Sequence, residues 1–168
     1  MVTVSILGGA IVSATGLFLG VSAAWEKSAA VRRILEAKGV AAALRREICG
    51  RLSPLPAAVS RVRAEFPSCA FLAKFERLGA ERGYENAPDC WREALSSGNL
   101  RGEALEALYA LAPVIGRYDQ QEQKDAFDEL TERLEGIYRA AHEQNRAMGR
   151  VYVTLGICGG AALAILLG

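Results

Sequence analysis

The stretch LAPVIGRYDQQEQ, residues 111–123, ends one helix and begins another. Up to it, Leu105, Leu108, Leu111 and Ile115 recur at the three- and four-residue steps that place side chains on one stripe of a helix. Pro113 removes a backbone donor and disfavours helical geometry at Ala112, so a kinked last turn is expected. Gly116 suits the left-handed residue that closes a helix. Asp119 with Glu122 forms a D-x-x-E start, close to a capping box. Beyond it Phe127, Leu130, Leu134, Ile137 and Ala141 again step by three and four, as in a seam between two helices. The stretch reads as a structural corner built on Gly116 and Asp119, with Arg117 left for a surface or partner contact. A cap explains Asp119 better than a catalytic role does.

Upstream the pattern is helical throughout. No run of alternating β-branched residues and no Asn-Gly or Asp-Gly hairpin signal occurs. Val31, Ile34, Ala37, Ala41, Leu44 and Ile48 form one stripe, with Gly39 expected to weaken that helix or bend it. Gly50 ends it. Ser53-Pro54 is expected to cap and open a short helix to about Glu65. Pro67-Ser68 opens the next, which carries Phe71, Leu72, Phe75 and Leu78 and is closed by Gly79 and Gly83. Asn86-Ala87-Pro88-Asp89 is a further start, with Asn86 as the expected cap and Trp91 and Leu95 as anchors. Ser97-Gly98-Asn99 is a loop. The fold class is therefore all-α, a bundle of about six helices whose first and last members are long.

Charge divides the chain into three. The 20 Lys and Arg and 19 Asp and Glu all lie between Glu26 and Arg150. Residues 2–25 and 151–168 carry none, and about 20 apolar residues cross a bilayer core of about 30 Å. The expected division is a transmembrane helix over 1–25, a helical domain over 26–150 and a second transmembrane helix over 151–168. Val21-Ser22-Ala23 resembles a signal cleavage site, but no Lys or Arg precedes the apolar run as a signal peptide requires. Lys27, Arg32, Arg33 and Lys38 follow the first span, and Arg133, Arg139, Arg146 and Arg150 precede the second. The positive-inside rule then places the central domain in the cytoplasm and both termini outside it. Gly16, Gly20 and Ala24, and likewise Gly156, Gly160 and Ala164, fall four apart, a spacing that lets spans pack closely in lipid.

Chemistry is sparse. Net charge is +1, which argues against nucleic acid. Cys49, Cys69, Cys90 and Cys158 are widely spaced with no C-x-x-C pair, and read as reduced thiols rather than disulfides or a zinc site. The single histidine, His142, lies near Glu143 and Arg146 on the last helix. There is no G-x-S-x-G elbow, Walker loop or H-E-x-x-H. Asp125, Asp128, Glu129, Glu132 and Glu135 alternate with Lys124 and Arg133, as on a solvated face. No catalytic, cofactor or metal site is expected.

The residues carry a resemblance. Glu47-Ile48-Cys49-Gly50 leading to Ser53-Pro54-Leu55, Trp91 in a short helix, Gly116-x-x-Asp119 with Gln123, and Leu155-Gly156 with Gly159-Gly160 follow one another in a particular order. In that order, and with two apolar ends, the chain resembles the stage III sporulation protein AB family of endospore-forming bacteria. It departs from the family where Ala112-Pro113 replaces the first half of a paired Leu-Gly pattern. The resemblance implies a noncatalytic platform component of the channel complex linking mother cell and forespore. Its domain would be similar to secretion and pilus platform proteins. Its implied partners are membrane lipid, a secretion-type ATPase (stage III sporulation protein AA) and other membrane proteins of the complex, with a homo-oligomer left open. Its implied place is the mother-cell membrane around the forespore. The alternative is a platform subunit of a type II secretion or type IV pilus system in vegetative cells.

Overall fold

The computed structural model describes residues 28–117 and 119–167, and of residues 148–167 the helical backbone only. Every regular element among the described residues is helical. Helix α1 covers residues 28–45 and passes into a π-helical turn, Arg46–Gly50. Then follow α2 (Leu55–Glu65), α3 (Ala70–Arg82), a short 3-10 turn (Tyr84–Asn86), α4 (Ala87–Ser96), α5 (Glu103–Ala110) and α6 (Gln120–Leu167). The four short helices between two long ones are those the periodicity predicts.

Contacts divide the chain into two compact units. One is Arg32–Arg139. Of the other, which gathers the two ends of the chain, residues 28–31 and 140–167 are described, and in it Asn145 Nδ2 donates to Ser28 Oγ at 3.3 Å. Among the described residues no helix is long and apolar enough to cross a membrane. The first predicted span lies outside the described residues, and so do the side chains of the second.

The core of Arg32–Arg139 follows the predicted stripes. Ala37, Ala41 and Leu44 of α1, Phe71, Leu72 and Phe75 of α3, and Phe127, Leu130 and Leu134 of α6 are all buried, and Val40, outside the predicted stripe, joins them. Its centre is aromatic. Trp91 takes the edge-to-face geometry that the ring quadrupole favours against both Phe71 and Phe75, with centroids 5.7 Å and 5.0 Å apart. The Trp91 Nε1–H donates to Leu108 O at 2.8 Å, so its one polar atom is satisfied while fixing α4 against α5. Around this core, Lys38 pairs with Glu135 and Arg45 with Asp128. Seven residues forward on α1 answer seven residues back on α6, so this pair of helices is antiparallel. Part of the acidic face read as solvated thus anchors α6.

Several local expectations are corrected. Gly39 bends nothing. The helix runs through it, and a Cβ there would meet Cε1 of the Phe66 ring at 2.8 Å. Gly79 does not close α3 but seats the Tyr84 ring within it, and Gly83, with φ 84°, is the stop. Neither Ser53 nor Asn86 caps a helix through its side chain. Pro54 stands before α2, and each of α2 and α4 carries a proline in its first two positions, where a missing N–H costs nothing. Helix α5 ends at Ala110, before Pro113, and tight turns link 111 to 116 instead of a kinked helical turn.

Candidate functional site

The wide turn at the end of α1 shapes the polar centre of the molecule. Its extra residue per turn lets Arg51 N–H reach Arg46 O at 3.0 Å and rotates Glu47 inward, where the side chain is 1% exposed. A buried carboxylate needs partners. Arg51 Nη1 donates to its Oε1 at 2.6 Å and Arg61 Nη1 to its Oε2 at 3.0 Å. The Ser53 hydroxyl lies 3.5 Å from the same Oε2 and accepts from Arg61 at 2.9 Å. Arg46 approaches from 3.9 Å and spends its outer nitrogen on both oxygens of Glu65, at 2.7 Å and 2.9 Å. The Arg61 hydrogen bond foremost holds the Glu47 carboxyl below its ordinary range, against the opposing effect of burial. Glu47 thus ties the end of α1 to α2 as an ion.

Immediately after this turn Leu52 adopts φ 53° with its side chain 60% exposed. It is the sole non-glycine residue of positive φ among the described residues. Beside it opens a groove of about 700 Å³ whose lining includes Ile48, Pro54, Leu55, Tyr84, Gly116 and Gln123. Three stretches far apart in sequence, 48–56, 83–85 and 116–123, therefore meet along one groove.

The predicted corner forms its far side. Gly116 has φ 83°, and a Cβ there would lie 3.1 Å from Ala87 Cβ and 3.3 Å from Leu55 Cδ2. The glycine lets the chain turn tightly between the starts of α2 and α4. Asp119 Oδ1 accepts from the N–H groups of Gln121 at 3.0 Å and Glu122 at 3.1 Å, at the start of α6. Glu122 does not complete a capping box but faces Arg117, with Nη1 3.6 Å from its carboxylate. Gln123 is buried. Gly16 and Gly20 lie outside the described residues, and of Gly156 and Gly160 only the helical backbone is described. His142 is exposed on α6.

Among the described residues no group of His, Cys, Asp and Glu could hold a metal ion. Cys69 is buried and its thiol is pushed up to about 11, chiefly by desolvation, while burial also raises the thiols of Cys49 and Cys90. All three are free thiols held protonated at neutral pH.

The family model for stage III sporulation protein AB matches residues 5–168. The chain belongs to that family. It is a sporulation protein, and the family is not known for an enzymatic activity. A solved structure of stage III sporulation protein AB (SpoIIIAB) has the same fold, with a TM-score of 0.59 at 18% identity. The match covers 68% of this chain and 94% of that one. Among curated proteins there is no match.

Of the residues that carry the resemblance, Ser53, Pro54, Leu55, Gly116 and Gln123 line the groove, and Glu47 meets Ser53 on its polar flank. The Glu47 cluster is not evident from motif or periodicity. Its signal was an acid three residues after Leu44, on the buried stripe of α1, with Arg51 one helical turn later.

Proposed function

We propose that this protein is a noncatalytic platform subunit of the sporulation complex that links mother cell and forespore, coupled to a secretion-type ATPase. The observation that carries the reading is the family match, which runs through the central domain and both uncharged ends. In this reading residues 1–25 and 151–168 are membrane spans packed through Gly16, Gly20, Gly156 and Gly160. Residues 26–150 form a cytoplasmic domain in the mother cell. Gly116 and Asp119 act as a corner that sets the path of α6, and Arg117 meets a partner. Two features support assembly rather than turnover. The one buried carboxylate among the described residues, Glu47, is held as an ion by Arg51 and Arg61, and the groove mixes apolar side chains and prolines with Ser53, Glu85, Arg117 and two glutamines.

Deletion of the gene from its sporulating host tests the reading. Heat-resistant spores should be lost while vegetative growth continues. A tagged full-length chain should retain a secretion-type ATPase of the host when solubilised in mild detergent. Normal spore formation in the deletion strain would refute the proposal.

A further inference from the structure

The Glu47 cluster hides one sign of charge and shows the other. Its carboxylate is 1% exposed, whereas the side chains of Arg51 and Arg61 that neutralise it are 61% and 56% exposed. Each guanidinium has five N–H donors, and the bonds to Glu47 and Ser53 use one nitrogen of each. Two cationic forks are therefore fixed from below, their outer edges open to a second carboxylate. Leu52 follows Arg51 in the chain, exposed and in a left-handed backbone conformation that L-residues disfavour. Strain of this kind persists where the surroundings impose it and gathers at binding sites. The groove that opens beside Leu52 is apolar along Ile48, Pro54 and Leu55. Of the acidic groups nearby, Glu122 faces Arg117, Glu65 is held by Arg46, and Glu85 lines the groove from the 3-10 turn. Arg117 lines the groove but faces the exposed Glu122, so the cationic edge that meets only a buried carboxylate is that of Arg51 and Arg61, which flank the groove beyond Leu52 and Ser53.

We propose that Arg51, Leu52 and Arg61, with the adjoining groove, dock a protein segment that presents an Asp or Glu beside an apolar side chain. The apolar side chain seats against Leu52 and the groove wall, and the carboxylate takes the outer edges of the two guanidiniums. An anionic lipid headgroup would satisfy the guanidiniums but leave the groove unused, so a protein segment is the better fit. The proposal rests on the platform reading and gives that platform a docking face.

The test uses the full chain in membranes of its sporulating host, with a photoreactive benzoyl-phenylalanine in place of Leu52 and, separately, of Leu35, which is 47% exposed. Irradiation should give a protein adduct from position 52 and at most a tenth as much from position 35. The attachment point should lie within a few residues of an Asp or Glu, and 0.5 M salt should reduce the yield about tenfold, since exposed charge pairs are screened at that strength. A lipid adduct, an adduct with a second copy of this chain, an attachment point with no acidic neighbour, or equal yields from both positions would overturn the proposal. Leu52→Gly provides the second arm. Glycine accepts a positive φ, so the melting temperature of the detergent-solubilised full chain should hold or rise, while spore yield falls at least tenfold. Unchanged spore yield in L52G, where gene deletion abolishes spores, would sink the docking face alone. Unchanged yield on deletion would sink the platform reading instead.

Discussion

A single carboxylate decides how α1 meets α2. Removing Glu47 would leave Arg51 and Arg61 facing each other across the space it occupied, so Glu47→Ala should destabilise more than Glu47→Gln, which keeps the shape and one acceptor. The pH dependence carries the sign. Because the folded carboxyl lies below its ordinary value of 4.5, the unfolded chain binds more protons, and the Glu47 contribution is fully present above that value. It disappears as pH falls through the folded value. Glu93 beside Arg82 and Glu135 beside Lys38 are lowered in the same sense and add to the acid limb. The gap in melting temperature between the parent and E47Q should be largest near neutrality and close as the pH is taken well below 4.5. A constant gap would mean that Glu47 acts through shape alone. At the corner, Gly116→Ala places a Cβ at φ 83° and 3.1 Å from Ala87, and should cost about 1–2 kcal/mol or more. Asp119→Ala should cost about 1 kcal/mol and Asp119→Ser should recover most of it, as expected of a cap. A folded, thermally normal D119S that forms no spores would reopen a chemical role for that residue.

At the scale of elements, the stripes were legible and the ends were not. Periodicity placed Phe71, Phe75, Trp91, Leu108, Leu130 and Leu134 in the core because burial of one helical face repeats along the chain. Ser53 does not cap because its hydroxyl is claimed by stronger partners, and Asn86, at the end of the 3-10 turn with φ −98° and ψ 28°, makes no side-chain cap bond. The Ser53 hydroxyl lies between Glu47 and Arg61, fourteen residues apart in sequence. Gly39 and Gly79 looked like breaks because the rings that need their space, Phe66 and Tyr84, come from other elements. Glycine is ambiguous locally, as it marks either a turn or a close approach. Gly116 could be read because the break on one side and the acid on the other agree within four residues. The groove is not legible in the sequence, since its walls come from three stretches spread over about seventy residues. The stripes make a firm prediction. Leu130→Ala truncates a buried α6 side chain and should cost about 2–5 kcal/mol in denaturant unfolding of the detergent-solubilised chain. Trp91→Phe keeps an aromatic ring between Phe71 and Phe75 but loses the donor to Leu108 O, and should cost about 1–3 kcal/mol. An unchanged unfolding midpoint in L130A would mean that α6 is not anchored through this face.

For the whole molecule the deciding quantity is where the charges stop. Every ionisable Asp, Glu, Lys and Arg lies between Glu26 and Arg150, and a charge at a bilayer centre costs about 2.5–3.5 kcal/mol on insertion scales. A chain with two uncharged ends that both enter the membrane must keep those ends on one side of it and the middle on the other. In the proposed reading, the basic residues beside both ends, Lys27, Arg32 and Arg33 at one and Arg146 and Arg150 at the other, assign the middle to the cytoplasm. In a background with the four native cysteines replaced by serine or alanine, cysteines placed singly at Thr3, Lys27 and Arg150 should report this directly. A thiol reagent that cannot cross the membrane should label position 3 in intact cells and reach positions 27 and 150 only after permeabilisation. Labelling of 27 and 150 from outside would invert the topology and leave the Arg51–Leu52–Arg61 face on the side where no cytoplasmic ATPase can reach it. A fourth single cysteine, at Gly168, tests the second span: if it is reached only after permeabilisation while position 3 is labelled in intact cells, the first apolar stretch spans and the last does not, and α6 would then have to be read as one long arm of the domain rather than as its exit into lipid.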